Sequence, residues 1–296
     1  MSPALSGIEI CVFDAYGTLF DFNSAVARHR AAIGPKADAL ADLWRTKQIQ
    51  YTWLRNSMAV YDPFWQVTGE ALDHCLAAHG ISDAGVREKL MRAYLALDPF
   101  PEVPAMLDRL KRAGKRLAIL SNGNPGMLDP MVKASGLADR FEAVLSVDDA
   151  KVFKPDQRVY RLVEQRCGVK PDKVCFLSSN CWDAHGAAHF GFATVWVNRA
   201  RAPDDNLPGT TVAPIFWAMP MPISSRLSFT RSCSTTSAPD ALVLEILSAG
   251  ASFGMTMVAF MPIRRAASAR PCAWLPDDQP TTPFLRSASL IEARKL

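Results

Sequence analysis

Apolar and polar positions along this chain follow two different rhythms. Ile8 to Phe13 is a short, largely apolar, β-rich run that ends at Asp14 and the turn residues Tyr16-Gly17-Thr18. That pattern predicts a buried strand followed by a loop. From residue 24 to residue 98 the spacing is helical instead. Apolar and aromatic residues recur through Leu40, Leu43 and Trp44, and again through Trp53, Leu54 and Met58. Leu72, Cys75 and Leu76, then Leu90, Tyr94 and Leu97, predict two more helices, and Asp98-Pro99-Phe100-Pro101 closes the block.

Beyond Val103, helix and strand alternate. Helices are predicted over 103–113, 127–135, 156–167 and 184–190, with Gly114, Gly136 and Gly168 as stops after the first three. Strands are predicted over 116–120, 143–147, 174–177 and 194–197. Apolar strands alternating with helices indicate a parallel sheet covered on both faces. The expected fold is therefore α/β, a Rossmann-like parallel core with a helical cap domain inserted after the first strand. Residues 1–20 and 99–209 form the expected core, and residues 21–98 the cap.

The rhythm stops near residue 209. Residues 210–296 hold one Lys and no Tyr, His or Asn, with five acidic and eight basic residues. They read as an atypical C-terminal extension, poorly ordered or extraneous to the domain. Within it, Ala241 to Ile263 is apolar and nearly long enough to span a bilayer, but Glu245 and the lack of flanking belts argue against a span. No basic segment precedes an apolar run at the N-terminus, so no signal peptide is expected.

Composition narrows the function. The chain has 296 residues and a net charge of +4, from 33 basic and 29 acidic side chains. That balance gives no footprint for a nucleic-acid binder. Seven cysteines without regular spacing do not make a disulfide framework, so reduced thiols and a cytoplasmic location are expected. No G-x-S-x-G elbow, P-loop or G-x-G-x-x-G fingerprint is present. His185 and His189 lie four apart without the H-E-x-x-H pattern and read as a helical surface pair. Cys181 reads as a small buried side chain.

The chemistry gathers where strands end, which is where open α/β sheets bind ligands. Four polar clusters fall there: Asp14 to Thr18, Ser121-Asn122, Lys154, and Ser178 to Asp183. A carboxylate in Asp14's place is costly to bury unpaired. Lys154 is its natural charge partner and favours a nucleophilic carboxylate.

Phe13-Asp14-Ala15-Tyr16-Gly17-Thr18, Leu120-Ser121-Asn122-Gly123, Lys154-Pro155 and Ser178 to Asp183 together resemble the four motifs of the haloacid dehalogenase superfamily. Within it the chain is similar to the L-2-haloacid dehalogenases, over about residues 8–209. The resemblance implies that Asp14 attacks C2 of a short-chain 2-haloacid, expels halide and forms an ester that water hydrolyses. It implies that Asp183, Lys154, Ser178 and Asn180 activate that water, and that Thr18 and Ser121 hold the Asp14 and substrate carboxylates. Arg45 matches the family's halide-binding arginine and Asn122 an assisting amide, although Thr46 replaces the family's usual Gln. Tyr16, Ile49, Phe64 and Trp182 resemble the wall around the substrate's alkyl group, and Tyr160 a tyrosine near the site. No cofactor, metal or membrane is implied; the partner is the haloacid, with a homodimer left open. Phosphatases of the superfamily place a second Asp where this chain has Tyr16, and a metal-binding Asp where it has Ser179. Those two departures argue against a magnesium-dependent phosphatase, and intact Asp14, Lys154 and Asp183 argue against an inactive binding protein.

Overall fold

A computed structural model describes residues 7–207 and three short strands beyond them, Ala213–Ile215, Leu242–Val243 and Phe260–Met261. Apart from those strands, the expectation for 210–296 lies outside the described residues. Among the described residues no helix is long and apolar enough to cross a membrane.

The chain opens with β1 (Ile10–Phe13), all four residues buried. A two-residue strand, β2 (Phe20–Asp21), leads into five helices: α1 (Asn23–Arg28), α2 (Arg30–Ile33), α3 (Ala37–Met58), α4 (Phe64–Ala78) and α5 (Ala84–Ala93). β3 (Asp98–Pro99) brings the chain back and pairs antiparallel with β2, Phe20 opposite Pro99 and Asp21 opposite Asp98. Entry to and exit from the cap are thereby fastened together. The pattern of 24–98 read as entirely helical did not contain this pair, because two residues carry no periodicity.

The core then alternates: α6 (Val103–Arg112), β4 (Arg116–Ser121), α7 (Pro125–Ala134), β5 (Ala143–Ser146), α8 (Gln157–Cys167), β6 (Val174–Ser178), α9 (Cys181–Phe190) and β7 (Ala193–Val197). Strand order is β5-β4-β1-β6-β7, all parallel, and β8 (Ala213–Ile215) adds in parallel to β7. β9 (Leu242–Val243) and β10 (Phe260–Met261) form a separate antiparallel pair. β1 is flanked by β4 and β6, with Phe13 level with Ile119 and Leu177. The chain leaves β1 for one side and later returns to the other, so Asp14, Asn122 and Ser178 meet at the switch point.

Helix ends follow their local chemistry. Asp156 caps α8 by accepting the Arg158 N–H at 2.9 Å, and Gly168 ends it at φ 68°. In the cap, α3 runs unbroken for 22 residues. Leu40, Ala41, Trp44, Gln48 and Thr52 are buried along one stripe. Trp53, Leu54 and Met58, which the periodicity placed with the apolar face, are 40%, 47% and 62% exposed. The end of α3 runs past the elements that cover its first half.

Candidate active site

Asp14 follows β1 directly, and its backbone N–H donates to Leu177 O at 2.9 Å, which locks the residue to the end of β6. The residue is 5% exposed, and both its carboxylate oxygens accept hydrogen bonds. Lys154 Nζ donates to Oδ1 at 3.1 Å, while Thr18 Oγ1 and Asn180 Nδ2 reach Oδ2 at 3.1 and 3.0 Å. The Thr18 hydroxyl also accepts the Ser179 N–H at 2.8 Å, so the loop after β1 is tied to the loop after β6. Arg199, after β7, donates to Gly17 O at 3.2 Å and Thr18 O at 2.8 Å and braces the same loop. That brace was not legible in the sequence, because Arg199 belongs to none of the motifs.

A second carboxylate stands behind the first. Asp183, wholly buried, accepts from Lys154 Nζ at 2.9 Å and Ser178 Oγ at 2.9 Å on Oδ2, and from Tyr160 OH at 2.8 Å on Oδ1. Lys154 therefore bridges both acids with one ammonium. Burial alone pulls the Lys154 pKa down, but Asp14 and Asp183 pull harder and hold it above the ordinary lysine value. For Asp183 burial is the largest influence and raises the pKa; Lys154 opposes the rise and Asp14 adds to it. The pair thus holds a firm cation beside a carboxylate with enhanced basicity.

The cap supplies the remaining cation. Arg45 on α3 is half-buried, with Nη1 donating to Gln48 Oε1 at 2.8 Å and Nη2 to Asn180 Oδ1 at 3.2 Å. A longer contact of 3.4 Å joins Nη2 to Tyr16 O, and the guanidinium lies 4.9 Å from the Phe22 ring centre. Asn180 thereby links Arg45 to Asp14, one amide end to each. Gln48 was missed in the sequence. It is fully buried and holds Arg45 while bonding to Thr68 Oγ1 at 2.8 Å and Tyr94 OH at 3.2 Å. A lone Gln on a helix carries no motif, and only the burial of its surroundings reveals it. Thr46 is exposed and donates back to Asp42 O at 2.8 Å, away from the site.

Asp14, Tyr16, Arg45, Ile49, Phe64, Asn122, Lys154, Asn180 and Trp182 line a small, tightly closed cleft. These include the four residues expected as an apolar wall. Tyr16 packs against Phe64 at 5.7 Å between ring centres, and its buried hydroxyl has no hydrogen-bond partner among the described residues. Asn122 Oδ1 accepts the Lys154 N–H at 3.0 Å, which leaves the amide nitrogen for a ligand.

Three expected positions differ in detail. Ser121 Oγ accepts the Gly123 N–H at 3.1 Å and shapes the turn after β4. Tyr160, expected near the site, is fully buried and bonds Asp183 without lining the cleft. His185, read as half of a surface pair, is 2% exposed and pairs with Asp204, while His189 is exposed.

A magnesium ion fits this donor set poorly. Position 179 offers a hydroxyl where a hard cation needs a second carboxylate, and both Asp183 oxygens are occupied by internal donors.

Comparison with known proteins agrees with this geometry. Residues 8–191 match the haloacid dehalogenase-like hydrolase family. The (S)-2-haloacid dehalogenase 4A of Burkholderia cepacia is 46% identical over 202 residues, 68% of this chain and 87% of that protein. The (S)-2-haloacid dehalogenase of Pseudomonas sp. (strain YL) is 50% identical over 193 residues, 65% and 83% of the two chains. The crystal structure of the Xanthobacter autotrophicus L-2-haloacid dehalogenase with chloropropionic acid covalently bound superposes with a TM-score of 0.62 at 43% identity, over 65% of this chain and 78% of that one. A nucleophile-ready carboxylate, its lysine bridge and a cap arginine occur here on a chain that these relatives match across core and cap alike, and the chain belongs to the haloacid dehalogenase-like hydrolase family, in its (S)-2-haloacid dehalogenase branch.

Proposed function

We infer that this chain hydrolyses L-2-haloacids to D-2-hydroxy acids and halide. The observation that carries the reading is the linked set Asp14–Asn180–Arg45. It places a carboxylate and a guanidinium on the two ends of one amide, at 3.0 and 3.2 Å.

In the proposed sequence, an Asp14 oxygen attacks C2 from the face opposite the halogen. The carbon–halogen bond breaks, halide departs with its electron pair, and C2 inverts. A poorly hydrated anion suits the weakly hydrated, permanently charged guanidinium of Arg45, with the Asn122 amide beside it. The Asp14 ester is then attacked at its carboxyl carbon by water, whose proton passes to Asp183. The ester C–O bond breaks, the departing alkoxide takes the proton from Asp183 and leaves as the 2-hydroxy acid, and the Asp14 carboxyl returns to the carboxylate by losing its remaining proton to solvent, so one hard displacement becomes two easier steps. Lys154 stabilises negative charge at Asp14 throughout, Ser178 and Tyr160 hold Asp183, and Thr18 and Asn180 orient the nucleophile. Ser121 acts through the turn it shapes.

Tyr16, Ile49, Phe64 and Trp182 form the proposed alkyl wall. A buried hydroxyl left unbonded costs about 1–3 kcal/mol, so Tyr16 OH gains most by meeting the substrate carboxylate. The small space between these bulky side chains suits short-chain acids. The chemistry needs no metal, since Lys154 already supplies the charge between the two acids. Division of labour follows the insertion: core 1–20 and 99–209 carries the reacting groups, and cap 21–98 closes over them. Exposed Leu54, Met58 and Val60 at the end of α3 supply an apolar face for a homodimer. The described cysteines are all free thiols, as a cytoplasmic location would require.

The test is halide release from L- and D-2-chloropropionate with EDTA present, beside p-nitrophenyl phosphate hydrolysis with magnesium. Halide from the L-isomer alone, undiminished by EDTA and abolished by Asp14→Asn, is expected. Phosphate-ester hydrolysis without halide would overturn the reading. A single turnover in H₂¹⁸O tests the ester: the label enters Asp14, and the product hydroxyl carries ordinary oxygen.

A further inference from the structure

The first turn of α9 faces the active site through Asn180, Trp182 and Asp183, but its flank carries a second group of ligating side chains. Cys181 and His185 lie one helical turn apart and are 8% and 2% exposed. The segment after β7 brings Asp204 against both. Asp204 Oδ1 lies 2.7 Å from His185 Nε2 and 3.7 Å from Cys181 Sγ, and the three ligand atoms fall within 4.8 Å of one another. Asp204 is itself fixed, since its Oδ1 accepts the Asn206 N–H at 2.8 Å and its backbone oxygen accepts from Asn206 Nδ2 at 2.9 Å.

We propose that Cys181, His185 and Asp204 bind a thiophilic divalent cation, zinc foremost, outside the dehalogenation site. One sulfur, one imidazole nitrogen and one carboxylate oxygen form a ligand set that zinc accepts and that magnesium and calcium do not favour. Ordinary zinc–ligand bonds at tetrahedral angles place ligand atoms roughly 3.3–3.7 Å apart. The sulfur–carboxylate distance already matches, and the imidazole–carboxylate hydrogen bond has only to open by about half an ångström. Two ligands at i and i+4 on a buried helix turn are pre-arranged, and the third comes from a short connection able to close on the ion. Binding forms a metal–sulfur bond and releases the thiol proton to solvent. Water completes the fourth position. The ion fastens residues 198–207 to the turn of α9 that also carries Asn180 and Asp183.

The experiment uses the full chain, freed of any affinity tag, reduced and stripped by a chelator. Cobalt(II) is the probe, because thiolate ligation gives a sulfur-to-cobalt charge-transfer band and tetrahedral geometry gives intense visible bands. One equivalent of cobalt is expected to produce both, and one equivalent of zinc to bleach them. Cys181→Ser should lose the charge-transfer band, whereas the double variant Cys233→Ser, Cys272→Ser keeps it. Asp204→Asn, on an exposed connection, keeps a side chain of the same size. It should weaken zinc by at least about 10-fold, the loss that even an outer-sphere partner brings. No saturable cobalt spectrum in the unaltered chain, or a charge-transfer band that survives Cys181→Ser, overturns the proposal.

Discussion

At Lys154, burial and charge pull in opposite directions. The ammonium is 1% exposed, and among the described residues it is compensated by two carboxylates at 3.1 and 2.9 Å and the Phe176 ring 4.9 Å away. Such a triad is costly to break, since one uncompensated buried charge costs about 3–5 kcal/mol. Burial leaves Asp183 more basic than an ordinary aspartate against the opposing pull of Lys154, which itself stays charged. The acid limb of the pH–rate profile therefore follows Asp183. Protonated Asp183 cannot take the water's proton, and its pKa is raised, so activity fails at a higher pH than the ordinary 3.8 of aspartate would give. The Tyr160 hydroxyl opposes that rise through its 2.8 Å hydrogen bond. Tyr160→Phe removes the opposition, and the acid limb of kcat should move to still higher pH. A limb that stays in place would separate Asp183 from the hydrolytic step. Arg45→Lys tests the other pole. A single ammonium cannot reach Gln48, Asn180 and a leaving anion together, and a lost charged hydrogen bond is worth about 1.5–3 kcal/mol. kcat/KM for L-2-chloropropionate should fall about 10- to 100-fold in steady-state halide assays.

Among the elements, α9 bears the most constraint. Asn180 holds its N-cap position, yet that side chain makes no capping bond and serves Asp14 and Arg45 instead. Asp183 in the first turn faces the positive end of the helix. Gly186 is the contact point with α8: a Cβ there would lie 2.6 Å from both Tyr160 OH and Pro155 Cβ. Gly186→Ala should therefore displace Tyr160 from Asp183 and destabilise the fold by about 1–3 kcal/mol, as overpacking does. A lowered thermal midpoint together with a reduced kcat checks both effects. This helix also marks where the sequence ceased to be legible. The pattern predicted it over 184–190, whereas it starts at Cys181. Cys181, Asp183, Ala184, His185 and Ala187 are all buried, so no apolar stripe announces the helix. By contrast α8 has a clear buried face, with Val159, Leu162 and Val163 buried and charged residues between them, and its bounds were read almost to the residue. The site shows the same divide. Residues at strand ends could be read because strand termination and polar chemistry coincide in sequence. Arg199 could not, because its partners Gly17 and Thr18 lie far away in sequence, and Gln48 could not, because its hold on Arg45 is fixed by Thr68 and Tyr94, 20 and 46 residues away.

On the scale of the whole molecule, the reacting groups are confined to a part of the chain. Every proposed catalytic contact lies between Asp14 and Asp183, the family match ends at residue 191, and the change in composition comes near 209. The parallel sheet around β1 is complete in the sense that matters for catalysis, since β4 and β6 flank it on both sides. β8 extends the far edge beyond β7 and touches neither Asp14 nor Lys154 through its pairing. A chain ended at residue 209 should accordingly release halide from L-2-chloropropionate with the kcat/KM of the full chain. Removal of β8 leaves β7 as an exposed edge, and unpaired strand edges promote association, so any penalty should appear as aggregation rather than as slower chemistry. Activity per folded molecule, measured after size separation, distinguishes the two. Equal activity assigns the reaction to the core and cap alone. A shortened chain that is folded and monodisperse but inactive would place a required group beyond residue 209 and overturn the division of labour proposed for this molecule.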